Sequence, residues 1–266
     1  MLTNSLFSLE GRVALVTGGS RGIGRMIAQG FLEMGAKVYI SSRKASACLE
    51  TAEALAAYGT CIALPADVST VAGAKALAEA YGEREPHLDI LVNNAGAAWL
   101  AEFDAYPEKG WDKVMDLNLK APFFLTQALA PALRATASEA RPAKVIIVAS
   151  VDGQSVNPQE TYAYGASKAG VIMLTRRMAL RLAKDNIVVS AIAPGAFASE
   201  MNIAARDQAD RLGKQIPAGR IGRDSDMAGT AIFLASRAGD YVMGAVVTVD
   251  GGVTLQTFSA SMAEEA

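Results

Sequence analysis

The chain has 266 residues with 51% hydrophobic side chains, which is enough for a sizeable buried core in one large domain or two small ones. Its formal net charge is −2, so we expect no nucleic-acid partner. Because His87 is the only histidine, a histidine-based catalytic triad and a histidine-rich metal site are both disfavoured, and we expect no metal.

Short apolar strands and helical segments alternate along the chain. Strands are predicted at residues 12–17, 36–41, 61–64, 88–92, 144–149, 187–192 and 245–249. Helices are predicted at residues 22–34, 45–57, 71–81, 107–133 and 225–236, and around Tyr164 up to residue 183. This pattern indicates a parallel sheet covered on both faces. No Pro/Gly-rich linker divides it, so we predict one doubly wound α/β domain across residues 1–266.

Two segments lie outside this alternation. In residues 196–216, Phe197, Met201 and Ile203 stand among polar side chains, which predicts a flexible, partly helical lid. Residues 253–266 are small, polar and acidic, so we expect a tail that is frayed or packed on a neighbour.

The cysteines and the N-terminus bear on the compartment. Cys48 and Cys61 form no Cys-x-x-Cys pair, and two isolated thiols fit a reducing cytoplasm. Residues 1–10 lack the basic region and apolar run of a secretory signal. No run of 18 apolar residues occurs, so we expect no membrane span.

Glycines cluster where the first predicted strand turns into a helix. Gly18, Gly22 and Gly24 let the backbone make this turn and approach a ligand closely. The N–H groups and the dipole of the helix N-terminus then favour a pyrophosphate. A triphosphate-binding P-loop is disfavoured, because Arg25 and Met26 follow where Lys and Ser/Thr are needed. A glycine-rich turn without a ligand stays open as an alternative.

The end of the second strand bears on the choice of dinucleotide. A site that prefers NAD usually has Asp or Glu there, but this chain has Ser42 and Arg43. Ser42 can hydrogen-bond a phosphate oxygen, and Arg43 can pair with it, as can Arg21 from the glycine loop. The sequence therefore predicts NADP(H). The alternative is that Arg43 and Lys44 form an ordinary solvated helix start.

A tyrosine and a lysine stand four residues apart in a predicted helix. This spacing puts Tyr164 and Lys168 on one face, about one turn apart. A cation beside a phenol favours the phenolate, so the pair is a candidate proton-transfer device. Tyr162 lacks such a partner, because Ala166 stands four residues further on. Alone, a Tyr-x-x-x-Lys match occurs by chance on many helices.

Several further motifs occur in a fixed order. They are Thr17-Gly18-x3-Gly22-x-Gly24, Asp67, Asn93-Asn94-Ala95-Gly96, Asn118, Ser150, Tyr164-x3-Lys168, Pro194-Gly195 and Asp250-Gly251-Gly252. From Gly11 to Gly252 the chain thereby resembles the short-chain dehydrogenase/reductase superfamily, and within it most closely the branch of 3-oxoacyl-(acyl carrier protein) reductases, including that of the rhamnolipid pathway. The resemblance implies a Rossmann domain with a seven-stranded parallel sheet in the order 3-2-1-4-5-6-7.

The resemblance also implies roles for single residues. Tyr164 is the expected general acid–base, and Lys168 is expected to lower its pKa and bind the nicotinamide ribose. Ser150 is expected to hydrogen-bond the substrate carbonyl, and Asn118 to hold a water beside Lys168. The full expected cofactor-binding set is Gly18, Ser20, Arg21, Gly22, Ile23, Gly24, Ser42, Arg43, Asp67, Val68, Asn94, Ala95, Gly96, Tyr164, Lys168, Pro194, Gly195 and Ser199.

Together these features predict an NADP(H)-dependent oxidoreductase. It would reduce a ketone, with a 3-oxoacyl thioester as one candidate, to a secondary alcohol by hydride transfer, with Tyr164 as general acid. One alternative is a dehydrogenase of a secondary alcohol, polyol, sugar or steroid. Another is a non-catalytic dinucleotide-binding regulator, although all four catalytic positions are present. Small residues on the Tyr164 helix, with the family resemblance, predict a homotetramer or a homodimer.

Overall fold

One parallel sheet organises the computed structural model, which describes residues 2–256 and, of residues 2–4, the backbone alone. Its strands are β1 Val13–Thr17, β2 Lys37–Ser41, β3 Cys61–Ala63, β4 Ile90–Asn93, β5 Ala143–Val148, β6 Ile187–Pro194 and β7 Val246–Val249. They lie in the order β3-β2-β1-β4-β5-β6-β7, and each pairs in parallel with its neighbours. The predicted strand order is confirmed.

Helices cover both faces of the sheet. They are α1 Leu2–Phe7, α2 Gly22–Glu33, α3 Ala45–Leu55, α4 Val71–Gly82, α5 Glu108–Met115, α6 Ala121–Arg134, α7 Tyr162–Leu182, α8 Ile203–Asp207, α9 Ala209–Gly213 and α10 Asp224–Ala235. The sequence pattern does not predict α1, because so short a helix has little periodicity of its own. Within residues 2–256, no helix is both long and apolar enough to cross a membrane.

Alternate residues of each strand enter two separate cores. On β1, Leu15 joins the core on the side of α4, α6 and α7, whereas Ala14 and Val16 join the core on the side of α2 and α10. All three side chains are fully buried. This two-sided burial explains why the strands are apolar without alternation.

The predicted helix at residues 107–133 is interrupted by a π-helical turn, Asp116–Lys120. Here the Ala121 N–H donates to a carbonyl five residues back, instead of four as in an α-helix. Pro122 follows, and it has no N–H to give to the Asn118 carbonyl. The helical region predicted at residues 107–133 is thus present, as α5 and α6 joined by this π turn.

The predicted lid and tail are partly described. The lid, residues 196–216, contains α8 and α9, and its flexibility stays a prediction. At the end of the chain, Val253–Leu255 form a 3₁₀ turn. The rest of the predicted tail, residues 257–266, lies outside the described residues.

A buried charge network holds together the amino ends of β1, β4 and β5. The Asp89 side chain is 1% exposed, and its Oδ2 accepts the Val13 backbone N–H at 2.9 Å. Its Oδ1 accepts from Arg12 at 3.3 Å and from Arg141 at 3.0 Å. Arg12 is itself buried and also donates to the Pro142 carbonyl. One carboxylate thus pairs with two guanidinium groups at the edge of the sheet opposite to the site described below.

Asp89→Ala is expected to lower the free energy of unfolding by about 3–5 kcal/mol, because it leaves the buried Arg12 charge without its partner. Urea-induced unfolding measures this change. Asp116→Ala is the matched control, since the Asp116–Lys120 ion pair is about half exposed and contributes at most about 0.5 kcal/mol. Equal losses in the two variants would mean that the Asp89 network adds no more than a surface pair.

Candidate active site

The predicted site residues gather at the carboxyl edge of the sheet. Gly18 follows β1, Ser42 follows β2, Asn94 follows β4, Ser150 follows β5 and Gly195 follows β6. Because all the strands are parallel, these positions share one edge, where doubly wound sheets bind their ligands.

The glycine loop is packed so tightly that side chains do not fit. Gly18 has φ +64°, in the region that glycine favours. A Cβ on Gly24 would lie 2.3 Å from the Gly18 carbonyl oxygen and 2.5 Å from Asn94 Nδ2. The loop therefore needs glycine at both positions for its own geometry.

Asn94 and Thr17 hold this loop against β4. Asn94 Nδ2 donates to the Thr17 carbonyl at 2.8 Å and to the Gly18 carbonyl at 3.2 Å. Thr17 Oγ1 accepts the backbone N–H groups of Asn94 and Ala95 at 3.0 and 3.1 Å. The side chain of Asn94 thus holds the glycine loop in place. We call the hydrogen bonds of Asn94 and Thr17 the clamp; the sequence indicated Thr17 only as part of a motif.

The N-terminus of α2 fits a pyrophosphate. The N–H groups of Gly22, Ile23 and Gly24 lie in the first turn of this twelve-residue helix and therefore have no intrahelical partner. No side chain at Arg21 caps the helix in their place. Unpaired N–H groups together with the positive end of a helix dipole suit an anionic phosphate. Nearby, the Ser20 carbonyl accepts from Thr51 Oγ1 at 2.9 Å, which anchors the loop to α3.

The end of β2 offers cationic and hydroxyl groups and no carboxylate. Arg43 is exposed and forms no ion pair with any residue in 2–256. The Ser42 hydroxyl makes only a long hydrogen bond of 3.4 Å, to the Lys44 carbonyl. Ser41 Oγ is buried and lacks a hydrogen-bond partner in the described chain. The Ser41 hydroxyl was missed by sequence reasoning, because only burial makes it noticeable.

Arg21 does not point into open space. It forms an ion pair with Glu200 of the lid, and both side chains are more than half exposed. Ser199 lies next to it, and its Cβ would be 3.1 Å from a Cβ on Gly22. The lid therefore rests on the glycine loop, and a role for Arg21 at the phosphate stays a prediction.

The remaining cofactor-binding predictions divide between structural and exposed positions. Asp67 is exposed, and its Oδ1 accepts the Ser69 N–H at 3.0 Å. Val68 is buried in the core. The Gly195 N–H donates to Val249, and a Cβ at this glycine would meet the Asp250 Cα at 2.8 Å. The chain that follows Pro194 therefore passes close to the end of β7 on its way to the lid.

The predicted catalytic side chains lie together. Tyr164 and Lys168 share one face of α7, and the Tyr164 hydroxyl is hydrogen-bonded to Ser150 at the end of β5. Lys168 Nζ lies 5.6 Å from the centre of the Tyr164 ring and donates to the Val148 carbonyl at 2.8 Å. Lys168 is 5% exposed, so its ammonium group has lost nearly all its water.

Loss of water dominates the proton affinities of this pair. Burial raises the pKa of Tyr164 to about 12, although the hydrogen bond with Ser150 acts in the opposite direction. Burial lowers the pKa of Lys168 to about 8. The ammonium group of Lys168 points to the Val148 carbonyl, and the lowering of the Tyr164 pKa expected from it stays a prediction.

Asn118 is fully engaged with its own chain. Its Oδ1 accepts the Ala97 N–H at 2.8 Å, and its Nδ2 donates to the Ala97 carbonyl at 2.9 Å and to Ser167 Oγ at 3.1 Å. A Cβ on Gly96 would lie 3.3 Å from Asn118 Oδ1 and 3.8 Å from Lys168 Nζ. The side chain ties the segment after β4 to α7, so its expected role in holding a water stays a prediction.

A cavity of about 430 Å³ lies between α7 and the segment that follows Ser150. Its lining includes Asp152, Asn157 and Thr161, but not Ser150, Tyr164 or Lys168. Trp99 instead packs against α5, where its ring would be 2.7 Å from a Cβ on Gly110. In residues 2–256, no three His, Cys, Asp or Glu side chains are grouped so as to hold a metal ion.

A pyrophosphate-compatible glycine loop and a Ser–Tyr–Lys group at the same edge of a Rossmann sheet define a dinucleotide-dependent oxidoreductase. Residues 18–254 match a family model described as enoyl-(acyl carrier protein) reductase. The chain belongs to the short-chain dehydrogenase/reductase family.

Individual relatives are similar over nearly their whole length. The rhamnolipid-biosynthesis 3-oxoacyl-(acyl-carrier-protein) reductase of Pseudomonas aeruginosa is 52% identical over 94% of this chain and 98% of its own. The 2-dehydro-3-deoxy-D-gluconate 5-dehydrogenase of Escherichia coli is 40% identical over 93% of this chain and 97% of its own. The solved active-site complex of Pseudomonas aeruginosa RhlG with NADP superposes with a TM-score of 0.91 and is 50% identical. The match covers 94% of this chain and 99% of that one.

Asn94→Ala is expected to weaken dinucleotide binding by up to about 30-fold, because the glycine loop loses two hydrogen bonds of about 1 kcal/mol each. Quenching of protein fluorescence on NADPH addition measures the dissociation constant. Asn186→Gly serves as the control, since Asn186 has φ 54° and lies at the opposite edge of the sheet. An unchanged dissociation constant in Asn94→Ala would show that the clamp does not shape the cofactor site.

Proposed function

We propose that this chain is an NADP(H)-dependent reductase that converts ketones, in particular 3-oxoacyl thioesters, to secondary alcohols. The observation that carries this proposal is the hydrogen-bonded Ser150–Tyr164 pair next to buried Lys168, at the edge of the sheet that also holds the glycine loop. The site residues named from the sequence keep their predicted roles in this proposal.

The preference for NADP(H) is supported by the end of β2. Arg43 is exposed and free of an acidic partner in the described chain, which suits a phosphate on the adenosine ribose. The unpaired N–H groups of α2 would bind the pyrophosphate. RhlG of Pseudomonas aeruginosa, half identical to this chain, was solved with NADP. When bound, the dinucleotide supplies the hydride chemistry.

The chain itself supplies orientation and a proton. Tyr164 keeps its proton at neutral pH because burial holds its pKa near 12, so it is ready to donate to a substrate oxygen. Ser150 is positioned to hydrogen-bond the same oxygen, and two donors stabilise a developing alkoxide better than one. Lys168, with a pKa of about 8, is the group that can return a proton to this end of the site.

The substrate class has two candidates. A 3-oxoacyl thioester is supported by the Pseudomonas aeruginosa reductase, which is 52% identical to this chain. A polyhydroxylated substrate is the second candidate. The Escherichia coli gluconate-derivative dehydrogenase, 40% identical, acts on that second kind of compound. The higher identity places the thioester first.

The assembly and location belong to the same proposal. One face of α7 is exposed and presents Ala166, Ala169, Met173 and Leu180, small or apolar side chains that suit packing against a second copy. We therefore propose a homotetramer, with a homodimer as the alternative. A cytoplasmic location is supported by the two cysteines, both of which are free thiols.

Tyr164→Phe is expected to lower turnover at least about 100-fold while NADPH still binds, because the proton donor is lost and the ring is kept. Loss of NADPH absorbance is followed with 3-oxoacyl thioesters, diketones, quinones and keto-sugars. Tyr162→Phe is the matched control from the same helix, since the Tyr162 hydroxyl is bonded to Glu160.

Wild-type rates in Tyr164→Phe would contradict the assignment of the proton donor. Turnover of keto-sugars but not of thioesters would replace the first substrate class by the second. Tight NADPH binding without turnover on any carbonyl would favour the non-catalytic regulator.

Arg43→Ala is expected to raise the dissociation constant of NADPH about tenfold and to leave that of NADH nearly unchanged, because only NADPH carries the extra phosphate. Lys44→Ala, the exposed cation next in the chain, is the control. Equal changes for the two dinucleotides would remove Arg43 from the phosphate site.

A further inference from the structure

The lid is packed into the body of the molecule at both of its ends. At its start, Phe197 is 2% exposed, and its ring lies so close to Gly222 that no Cβ fits there. At its end, Ile216 is buried, and a Cβ on Gly251 in the turn after β7 would lie 2.7 Å from its side chain. The predicted movement of the lid is therefore confined to residues 198–215.

One polar contact joins this movable part to the glycine loop. The Arg21 guanidinium forms an ion pair with the Glu200 carboxylate. In the described chain, the other hydrogen bonds and ion pairs of residues 198–214 stay inside the lid, such as that from the Asn202 N–H to Ser199 Oγ at 3.1 Å. The Arg21–Glu200 pair is thus the polar link whose loss would free the lid.

The ion pair lies at the first turn of α2. Gly22, next to Arg21, has φ +51°, and a Cβ on it would lie 3.1 Å from Ser199 Cβ. Glycine at this position therefore lets the lid approach the loop closely. A negative charge of the lid is held beside the helix N-terminus that suits an anionic phosphate.

The same loop contacts the end of β2, where the second cation stands. The Gly19 N–H donates to the Ser41 carbonyl at 3.2 Å, and Ser41 is two residues before Arg43. Arg21 and Arg43 thus extend from two segments that are bonded to each other. This arrangement allows both guanidinium groups to meet one phosphate.

The strengths of the two possible contacts of Arg21 differ. The side chains of Arg21 and Glu200 are 65% and 58% exposed, and an ion pair so open to water is weak. A phosphate accepts two parallel hydrogen bonds from one guanidinium and carries more negative charge than a carboxylate. A phosphate bound at Arg43 is therefore able to displace Glu200 from Arg21.

We propose that Glu200 and the extra phosphate of NADP(H) compete for Arg21. Glu200 then limits the affinity for NADP(H), and the bound phosphate releases the lid from the glycine loop. This inference rests on the NADP(H) preference proposed above. NAD(H) has no such phosphate and leaves the ion pair in place, so the state of the lid depends on which dinucleotide is bound. Glu200 acts through Arg21 and is a positioning residue.

The first test is binding of adenosine 2′,5′-bisphosphate, which carries the extra phosphate without the nicotinamide. Glu200→Gln is expected to bind it about two- to fivefold more tightly by calorimetry, because an exposed ion pair no longer competes. AMP, which lacks the 2′-phosphate, should bind to both proteins equally. Asp207→Asn removes a carboxylate from the same lid and should change neither dissociation constant.

A double-mutant comparison tests whether Arg21 is the group competed for. In Arg21→Ala, the further change Glu200→Gln should give no gain in affinity for the bisphosphate. A gain that persists without Arg21 would overturn the competition, because Glu200 would then act on the phosphate by its charge alone.

The second test follows the lid itself by hydrogen exchange of peptides that cover residues 198–207. Glu200→Gln and Arg21→Ala should both speed exchange there without any ligand. The bisphosphate should speed exchange in the wild type and add nothing in Glu200→Gln, and AMP should have no effect. Unchanged exchange in Glu200→Gln would overturn the role of the ion pair in holding the lid.

The outcomes separate this inference from the proposed cofactor preference. Tighter binding of the bisphosphate than of AMP by the wild type, with no gain in Glu200→Gln, would keep the NADP(H) preference and overturn the competition. If neither the wild type nor Glu200→Gln binds the bisphosphate more tightly than AMP, the NADP(H) preference is rejected, and the competition with it.

Discussion

Strands β1, β4 and β5 run side by side in the same direction, so the chain leaves all three at one edge of the sheet. The glycine loop, Asn94 and Ser150 begin at these three points. Hydrogen bonds from Asn94 and Thr17 then hold the loop against the end of β4. A slip of one residue in β4 would turn the Asn94 side chain to the other face of the sheet, and the clamp on the loop would be lost.

Burial decides the chemistry of the groups that this edge brings together. A phenol and an amine that lose their water both favour their neutral forms, and this effect is larger than that of any single neighbour. Tyr164 therefore keeps its proton, whereas the pKa of Lys168 is lowered to about 8, close to neutral pH.

Most of the fold was predictable because its signals are local. Each strand is a short, mainly apolar run, and glycine or a polar residue follows most of them, as Gly18 does after β1. The π turn before α6 was not predicted; it includes Asn118, whose side chain is hydrogen-bonded to Ala97 from a separate segment. The helices of the lid are short and have little periodicity, so their bounds depend on packing.

The sequence by itself determined the fold class, the strand order through the family resemblance, and which residues are candidates for the site, since residue type and spacing carry that information. Only the tertiary structure decided how the candidates are used. It paired Arg21 with Glu200, buried Ser41 without a hydrogen-bond partner in the described chain and turned Lys168 to the Val148 carbonyl. Ion pairing, loss of water and charge–charge distance arise between segments far apart in the chain, so no local pattern encodes them.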